Sequence, residues 1–266
     1  MEIIGYFAAV LIGISLGMVG SGGSILTVPV LVYLMSVNPL LATTSSLFIV
    51  GSTSLIGGLR AYGKKQVNFK AVTEFGIPSI FSIFIARHYI LPELPDHLFS
   101  FGNIHVYKPM FLMVVFAILM LAASLSMIFS NKRDALAASL QDNKYQALPL
   151  VLLGLGVGMI TGLLGAGGGF LIIPSLVIFL RLPMKTAVGT SLLIIAINSL
   201  FGFLFSLKQF QYNWPLLLSF SILAIAGLFV GSKLAEKIPG TSLKKGFGWF
   251  VLLMGIYIIL KEVFRF

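Results

Sequence analysis

The chain is 266 residues long, 58% hydrophobic and 10% charged, with a formal net charge of +10. A soluble domain carries about 25% charged residues, so this composition excludes a chain that covers its whole surface with water-facing groups. Cysteine is absent, which excludes disulfides, thiol catalysis and thiolate metal sites. The basic residues sit in short loops beside apolar runs rather than in a stripe with interleaved aromatics, so no nucleic-acid partner is expected.

Apolar segments recur at 3–20, 24–37, 40–59, 70–86, 109–130, 147–164, 170–180, 186–207, 212–232 and 246–260. Most reach the ~20 residues that cross a bilayer as helix. Helix is required because lipid offers no partner to open backbone groups. The fold class is therefore all-α, a polytopic membrane protein. The first segment follows Glu2 rather than a basic n-region, and its residues 13–20 recur deep in the chain, so it is expected to stay with the fold rather than act as a leader. Segments 24–37 and 170–180 are short, and predict half-helices or re-entrant pieces. Glu74 and Arg87 lie near the ends of segment 70–86 and read as interface residues that snorkel to water. The loop His88 to Lys108 holds all three histidines, with several prolines, Glu93 and Asp96. Asn131 to Gln146 is the one soluble-looking linker. It divides the chain into a first membrane repeat (1–130), a cytoplasmic linker (131–146) and a second membrane repeat (147–266).

The two halves are copies. Gly17-Met18-Val19-Gly20-Ser21-Gly22-Gly23-Ser24-Ile25-Leu26-Thr27-Val28-Pro29 reappears as Gly162-Leu163-Leu164-Gly165-Ala166-Gly167-Gly168-Gly169-Phe170-Leu171-Ile172-Ile173-Pro174. The offset of 145 holds without a gap from Gly13 to Phe69 against Gly158 to Trp214, with about a third of positions identical. Internal duplication with broken apolar segments is how many secondary transporters are built. If every segment changes side, one face gathers thirteen Lys and Arg, from Arg60, Lys64 and Lys65 through to Lys244 and Lys245. The other holds five: Arg87, Lys108, Lys208, Lys261 and Arg265. That asymmetry places both termini outside. Merging each broken pair into one crossing lowers the split to ten against eight. Five segments per half is an odd number, so the second copy enters from the opposite face. The expectation is two inverted-topology repeats with Gly-broken short helices.

The glycine clusters are the candidate site. Gly20-Ser21-Gly22-Gly23-Ser24 and Gly165-Ala166-Gly167-Gly168-Gly169 each follow an apolar helix and precede a short one. Adjacent glycines break a helix, at about 1 kcal/mol each relative to Ala, and let a backbone or ligand come close. The break frees the first amides of the next helix, and those amides with the positive dipole end can hold an anion. Two such N-termini would point at a shared centre near the midplane. Pure close packing is the rival reading for the clusters, and it is the preferred one for Gly13-Gly17 and Gly158-Gly162. Ala42-Thr43-Thr44-Ser45-Ser46-Leu47 matches Ala187-Val188-Gly189-Thr190-Ser191-Leu192. Thr44, Ser45, Ser46, Thr190 and Ser191 either line a polar path or bond within their own helices. Asn198 reads as an interhelix hydrogen-bonding residue. Arg60 and Arg87 read as solvated anchors, with an access-path role as the alternative.

These paired glycine motifs, with Pro29 and Pro174, resemble the sulfite exporter TauE/SafE family of membrane permeases. So do Ala187-Val188-Gly189-Thr190-Ser191-Leu192 and the run Pro239-Gly240-Thr241-Ser242-Leu243-Lys244-Lys245 before the last apolar segment. The resemblance spans almost the whole chain and implies export of sulfite or a small organosulfonate across an inner or plasma membrane. The partners expected are that small anion and membrane lipid, with a coupling proton or ion and a homodimer left open. No cofactor and no metal is expected. An anion channel is the nearest rival. An intramembrane enzyme is the more distant one, because the spans carry no nucleophile with a base and no paired carboxylates.

Overall fold

The protein's structure, a computed structural model, describes residues 2–20, 22–101, 104–129, 147–165, 167–180, 182–235 and 240–264. The linker 131–146, Ser21 and Ala166 lie outside the described residues.

Ten helices of at least 11 residues dominate the described residues: α1 (Glu2–Val19), α2 (Gly22–Tyr33), α3 (Pro39–Gly63), α4 (Phe69–Ile85), α5 (Lys108–Phe129), α6 (Ala147–Leu164), α7 (Gly169–Phe179), α8 (Met184–Ser206), α9 (Trp214–Leu234) and α10 (Gly240–Phe264). This is an all-α membrane architecture. Among the described residues, five stretches are long and apolar enough to cross a bilayer: Pro39–Gly63, Phe69–Glu93, Lys108–Leu125, Met184–Ser206 and Trp214–Leu234. At 1.5 Å per residue α2 and α7 extend only about 18 and 16 Å, roughly half of a hydrocarbon core.

Local chemistry explains the boundaries. Asn38, Asn68 and Asn213 each accept a backbone N–H with the side-chain oxygen, from Leu40, Ala71 and Leu216, and so cap α3, α4 and α9. Asn68 and Asn213 are themselves 145 positions apart. At its far end α4 does not stop where its apolar run stops. It passes through a π-helical turn, Ala86–Ile90, and a last turn at Leu91–Glu93. The loop that follows is not irregular throughout: His97–Phe101 (β1) and Ile104–Tyr107 (β2) pair antiparallel, with Ser100 opposite His105. Phe, Val, Ile and Tyr at these positions have high strand propensity, which favours a paired ladder over the loop expected from the histidines and prolines. The hairpin marks one end of the bundle, called here the hairpin face.

The distribution of side chains is inverted relative to a water-soluble protein. Large apolar groups such as Phe7, Ile77, Phe81, Ile222 and Leu253 point outward, while Thr43, Thr44, Ser46, Thr53, Ser54, Ser199 and Asn198 are fully buried. Lipid tolerates the former, and the latter must find partners or a polar cavity.

Close helix approaches set the packing, and they repeat across the two halves. A methyl group built on Gly13 would fall 1.9 Å from the Ala224 carbonyl oxygen, and one on Gly17 would fall 2.3 Å from that of Leu228. On Gly158 it would fall 2.3 Å from the Ser79 oxygen, and on Gly162 3.1 Å from the Ile83 Cα. Ala224 and Leu228 lie 145 residues beyond Ser79 and Ile83, so α1 meets α9 as α6 meets α4, residue for residue. Both pairs run parallel. The small residues at four-residue spacing serve close packing, as their spacing predicts. At the centre α3 crosses α8 in the opposite sense: Gly51 faces Leu200, Gly58 faces Leu193, and Gly202 faces Leu47. Helices α5 and α10 form a further pair, with Gly255 against Leu121.

Candidate functional site

The break between α6 and α7 is built by glycines in the left-handed region, where side chains are disfavoured: Gly165 has φ +69°, Gly167 +66° and Gly168 +69°. Gly20, at the matching break between α1 and α2, has φ +77°. Each preceding helix closes in the same way. The Gly20 N–H donates to the Leu16 carbonyl (2.8 Å), and the Gly165 N–H to the Thr161 carbonyl (2.9 Å).

The two turns sit toward opposite ends of the bundle. Gly20 abuts Val188, five residues into α8, and Gly165 abuts Thr43, five residues into α3. Because α3 and α8 are antiparallel, these contacts fall on opposite faces. From Gly165 the chain then doubles back. Gly167 lies against Val50, Ile195 and the Ser199 hydroxyl, halfway along α3 and α8, and Gly168 lies against the Thr161 hydroxyl and Val157. Helix α7 therefore starts beside the middle of the central pair. Its first bonds are those from the Leu171 and Ile172 N–H groups to the Gly168 carbonyl. Helix geometry directs the preceding amides back along the axis, away from intrahelical acceptors. Helices α2 and α7 touch each other.

Two hydroxyls against this break, those of Thr161 and Ser199, are buried without a hydrogen-bond partner among the described residues, as are the Ser54 hydroxyl and both amide atoms of Asn198 elsewhere on α3 and α8. The interhelix bond expected of Asn198 is thus not made. Its apolar neighbours in the core, Ile194 and Ile195, offer neither donor nor acceptor. Ser54 and Ser199 are 145 apart, which is the available sequence signal for this pair. Thr161, four residues before Gly165, carries no such mark.

The remaining predicted residues divide by what they touch. The Thr43 and Thr44 hydroxyls donate to the Leu40 carbonyl (2.8 and 3.4 Å), and the Ser191 hydroxyl donates to the Val188 carbonyl (2.8 Å). These donors are spent inside their own helices. Ser46 donates to the Thr43 carbonyl (3.2 Å) and to the Gly165 carbonyl, clamping the turn onto α3. Thr190 accepts the Asn68 backbone N–H (2.9 Å) and so ties α8 to the start of α4. Gly23 packs on the Ile12 carbonyl, and a methyl group there would fall 2.3 Å away. Ser24 and Ser45 are buried. Gly22 and Gly169 are the first residues of α2 and α7.

Arg87 is not the solvated anchor that its position near a span end suggests. It is fully buried. The span continues to Glu93, and the wide π-helical turn that carries Arg87 packs against α8 and α6 rather than facing the interface. Its Nη1 donates to the Thr44 hydroxyl (2.7 Å) and the Ser206 hydroxyl (3.4 Å), while Nε and Nη2 have no partner. No carboxylate stands against it among the described residues; the ion pair nearby in sequence, Lys70 to Glu74 at 3.7 Å, lies at the start of α4. Tyr212, in the loop after α8, does not supply a negative charge. Burial pushes its phenol up to about 12 despite the opposing pull of Arg87, and its O–H donates to the Ser206 carbonyl (2.9 Å). A buried cation without a counter-charge is costly. Arg60 likewise is bonded rather than free, with Nη1 donating to the Ser232 hydroxyl (2.5 Å) and the guanidinium 5.5 Å above the Phe229 ring. On the hairpin face a pocket of about 450 Å³ opens, lined by Leu40, His88, Leu91, Pro92, Lys108, Gln209 and Phe210.

Comparison with known proteins agrees with this architecture. Residues 6–258 match the profile of the family described as sulfite exporter TauE/SafE. A probable membrane transporter protein of Xylella fastidiosa (strain Temecula1) is 28% identical over 95% of this chain and 92% of its own length. The probable membrane transporter protein YunE of Bacillus subtilis is 28% identical, covering 94% and 93%. One from Methanocaldococcus jannaschii is 27% identical over 94% of each chain. No solved structure matches the chain. A profile match over nearly the whole length, on a bundle of apolar helices, makes this chain an integral membrane protein, a transporter belonging to the sulfite exporter TauE/SafE family.

Proposed function

We infer that the protein exports a small sulfur oxyanion, sulfite or an organosulfonate, across the plasma (inner) membrane by alternating access. One observation carries this reading: Gly167 sits between the mid-points of α3 and α8 against the Ser199 hydroxyl, and Gly168 against the Thr161 hydroxyl of α6, and neither hydroxyl has a partner among the described residues. A helix start aimed at such a spot, inside lipid, suits an anion that exchanges its hydration shell for amides and hydroxyls. The binding set comprises the two breaks, Gly20 to Ser24 and Gly165 to Gly169, with Asn198, Ser199 and Thr161 added at the centre; Thr44, Ser45, Ser46, Thr190 and Ser191 flank the breaks, and the bonds that Thr44, Ser46, Thr190 and Ser191 make within the protein give them a positioning role.

In this reading the halves 1–130 and 147–266 are inverted-topology copies, with both termini outside, and one rocks against the other. Support comes from the antiparallel crossing of α3 on α8, which are equivalent elements, and from glycine contacts that recur at the offset of 145. The protein is a permease rather than an enzyme: the buried polar groups at the centre are neutral hydroxyls and an amide, which can hold an anion but supply neither base nor nucleophile pair.

The test is flux of sulfite and a series of sulfonates in proteoliposomes, with and without a pH gradient. Saturable flux is expected, abolished by Gly167→Val and by Gly22→Val in protein that still inserts. Normal flux in both variants rejects the site. Electrogenic flux without saturation rejects alternating access in favour of a channel.

A further inference from the structure

Arg87 is a binding group that the central break does not use. Its Nη1 is held by Thr44 of α3 and Ser206 of α8. That fixes the plane of the guanidinium and leaves the opposite edge, Nε and Nη2, buried and unpaired. Those two N–H groups are parallel donors at the spacing of two oxygens on one central atom, the arrangement by which Arg takes carboxylate, phosphate and similar oxyanions in a two-pronged grip. The protein itself offers that edge no anion: no carboxylate stands there among the described residues, and the Tyr212 phenol is held neutral.

The residue also lies close to an entrance. Gln209 donates from its side-chain nitrogen to the Arg87 carbonyl (3.2 Å), and the Leu40 carbonyl receives the Thr43 and Thr44 hydroxyls. Both Gln209 and Leu40 line the pocket on the hairpin face, which puts Arg87 one residue behind its wall. Lys108 and His88 also line that pocket, and no acidic residue does among the described residues. Gly165 sits alongside, packed on Thr43, the neighbour of Thr44.

We propose that the Nε–Nη2 edge of Arg87 is a second anion site, at the inner wall of the hairpin-face pocket, which takes a small oxyanion or sulfonate through two parallel hydrogen bonds. The identity of the ligand rests on the oxyanion-permease reading; the site itself rests on the free edge and the missing counter-charge. Such a site distinguishes ligands by shape. Two coplanar oxygens satisfy both donors, whereas a spherical halide satisfies them poorly.

The experiment is equilibrium binding to the full-length protein in detergent, read by calorimetric titration, with methanesulfonate, sulfate and chloride as probes. The Gly167→Val variant serves as a background in which the central break is obstructed. Methanesulfonate is expected to bind both wild type and Gly167→Val, with chloride roughly tenfold weaker or worse. Arg87→Lys keeps the charge and loses the fork, and should weaken binding about tenfold. Thr44→Ala frees the guanidinium to rotate and should weaken it severalfold. Unchanged binding in both Arg87→Lys and Thr44→Ala overturns the proposal, as does chloride binding equal to methanesulfonate. If Arg87→Lys does not yield folded protein, Thr44→Ala and the anion preference of the wild type decide. Arg87-dependent binding without any flux in proteoliposomes rejects the permease reading and keeps the site. Flux without Arg87-dependent binding does the reverse.

Discussion

Gly165 offers the sharpest test of how the first turn is made. Replacing it with Ala imposes two costs. Its φ of +69° is in the left-handed region, where an L-residue costs roughly 1–2 kcal/mol. The new methyl would also stand 2.0 Å from the Thr43 carbonyl oxygen and 2.6 Å from the Thr43 Cα. An ordinary contact is above 3.4 Å, so α3 and the turn must separate by more than an ångström, an overpacking cost of about 1–3 kcal/mol. Together these come to about 2–5 kcal/mol, a fall in Tm on the order of 10 °C for a chain of this size. The control is Gly156→Ala in α6, where a methyl meets nothing within 4 Å and helix propensity favours Ala by up to about 1 kcal/mol. Thermal unfolding of the two variants in one detergent should therefore move in opposite directions. A Gly165→Ala protein that melts with wild type, or a Gly156→Ala protein that falls as far, would falsify the packing argument.

Asn198→Leu removes a buried amide that has no partner, which should raise the melting temperature by the equivalent of about 1–3 kcal/mol while lowering sulfonate flux; lower stability or undiminished flux contradicts its place at the centre. Asn68→Ala and Asn213→Ala delete equivalent caps of α4 and α9, and each should cost about 1 kcal/mol, recovered by Asp at either position. A cap that can be removed without cost would show that packing alone fixes that helix start. Gly167→Val and Gly22→Val should abolish flux in protein that inserts normally, measured by proteoliposome uptake beside surface labelling.

Much of the architecture is visible in the apolar pattern. Segments 147–164 and 109–130 differ by no more than a residue at either end from α6 and α5, because uniform lipid exposure leaves a long apolar run with polar limits. The glycine breaks are visible because several adjacent glycines weaken a helix at one point, and the positive φ values sit on them. The last apolar segment starts at 246, yet its helix begins at Gly240: Lys244 and Lys245 look like loop residues in a hydropathy profile, and a basic second turn is compatible with helix. The burial of Arg87 is hidden because a π-helical turn leaves no mark in composition, and an Arg near the end of an apolar run usually does reach water. The hairpin is hidden by the histidines and prolines around it. Contacts such as Thr161 with Gly168, or Ser46 with the Gly165 carbonyl, depend on how separate helices meet, which no periodicity reports.

The exchange of partners between the halves has a bearing on how this chain assembles. The opening helix of each half finds its closest neighbour in the fourth helix of the other, α1 on α9 and α6 on α4. Neither half is therefore a free-standing unit that docks onto its sibling; they are interlocked like clasped hands. Cutting the polypeptide within 131–146 should give fragments that are poorly folded when made singly and recover when made together. If the halves are inverted copies, as proposed, a half-length forerunner would have needed a twin inserted upside down beside it.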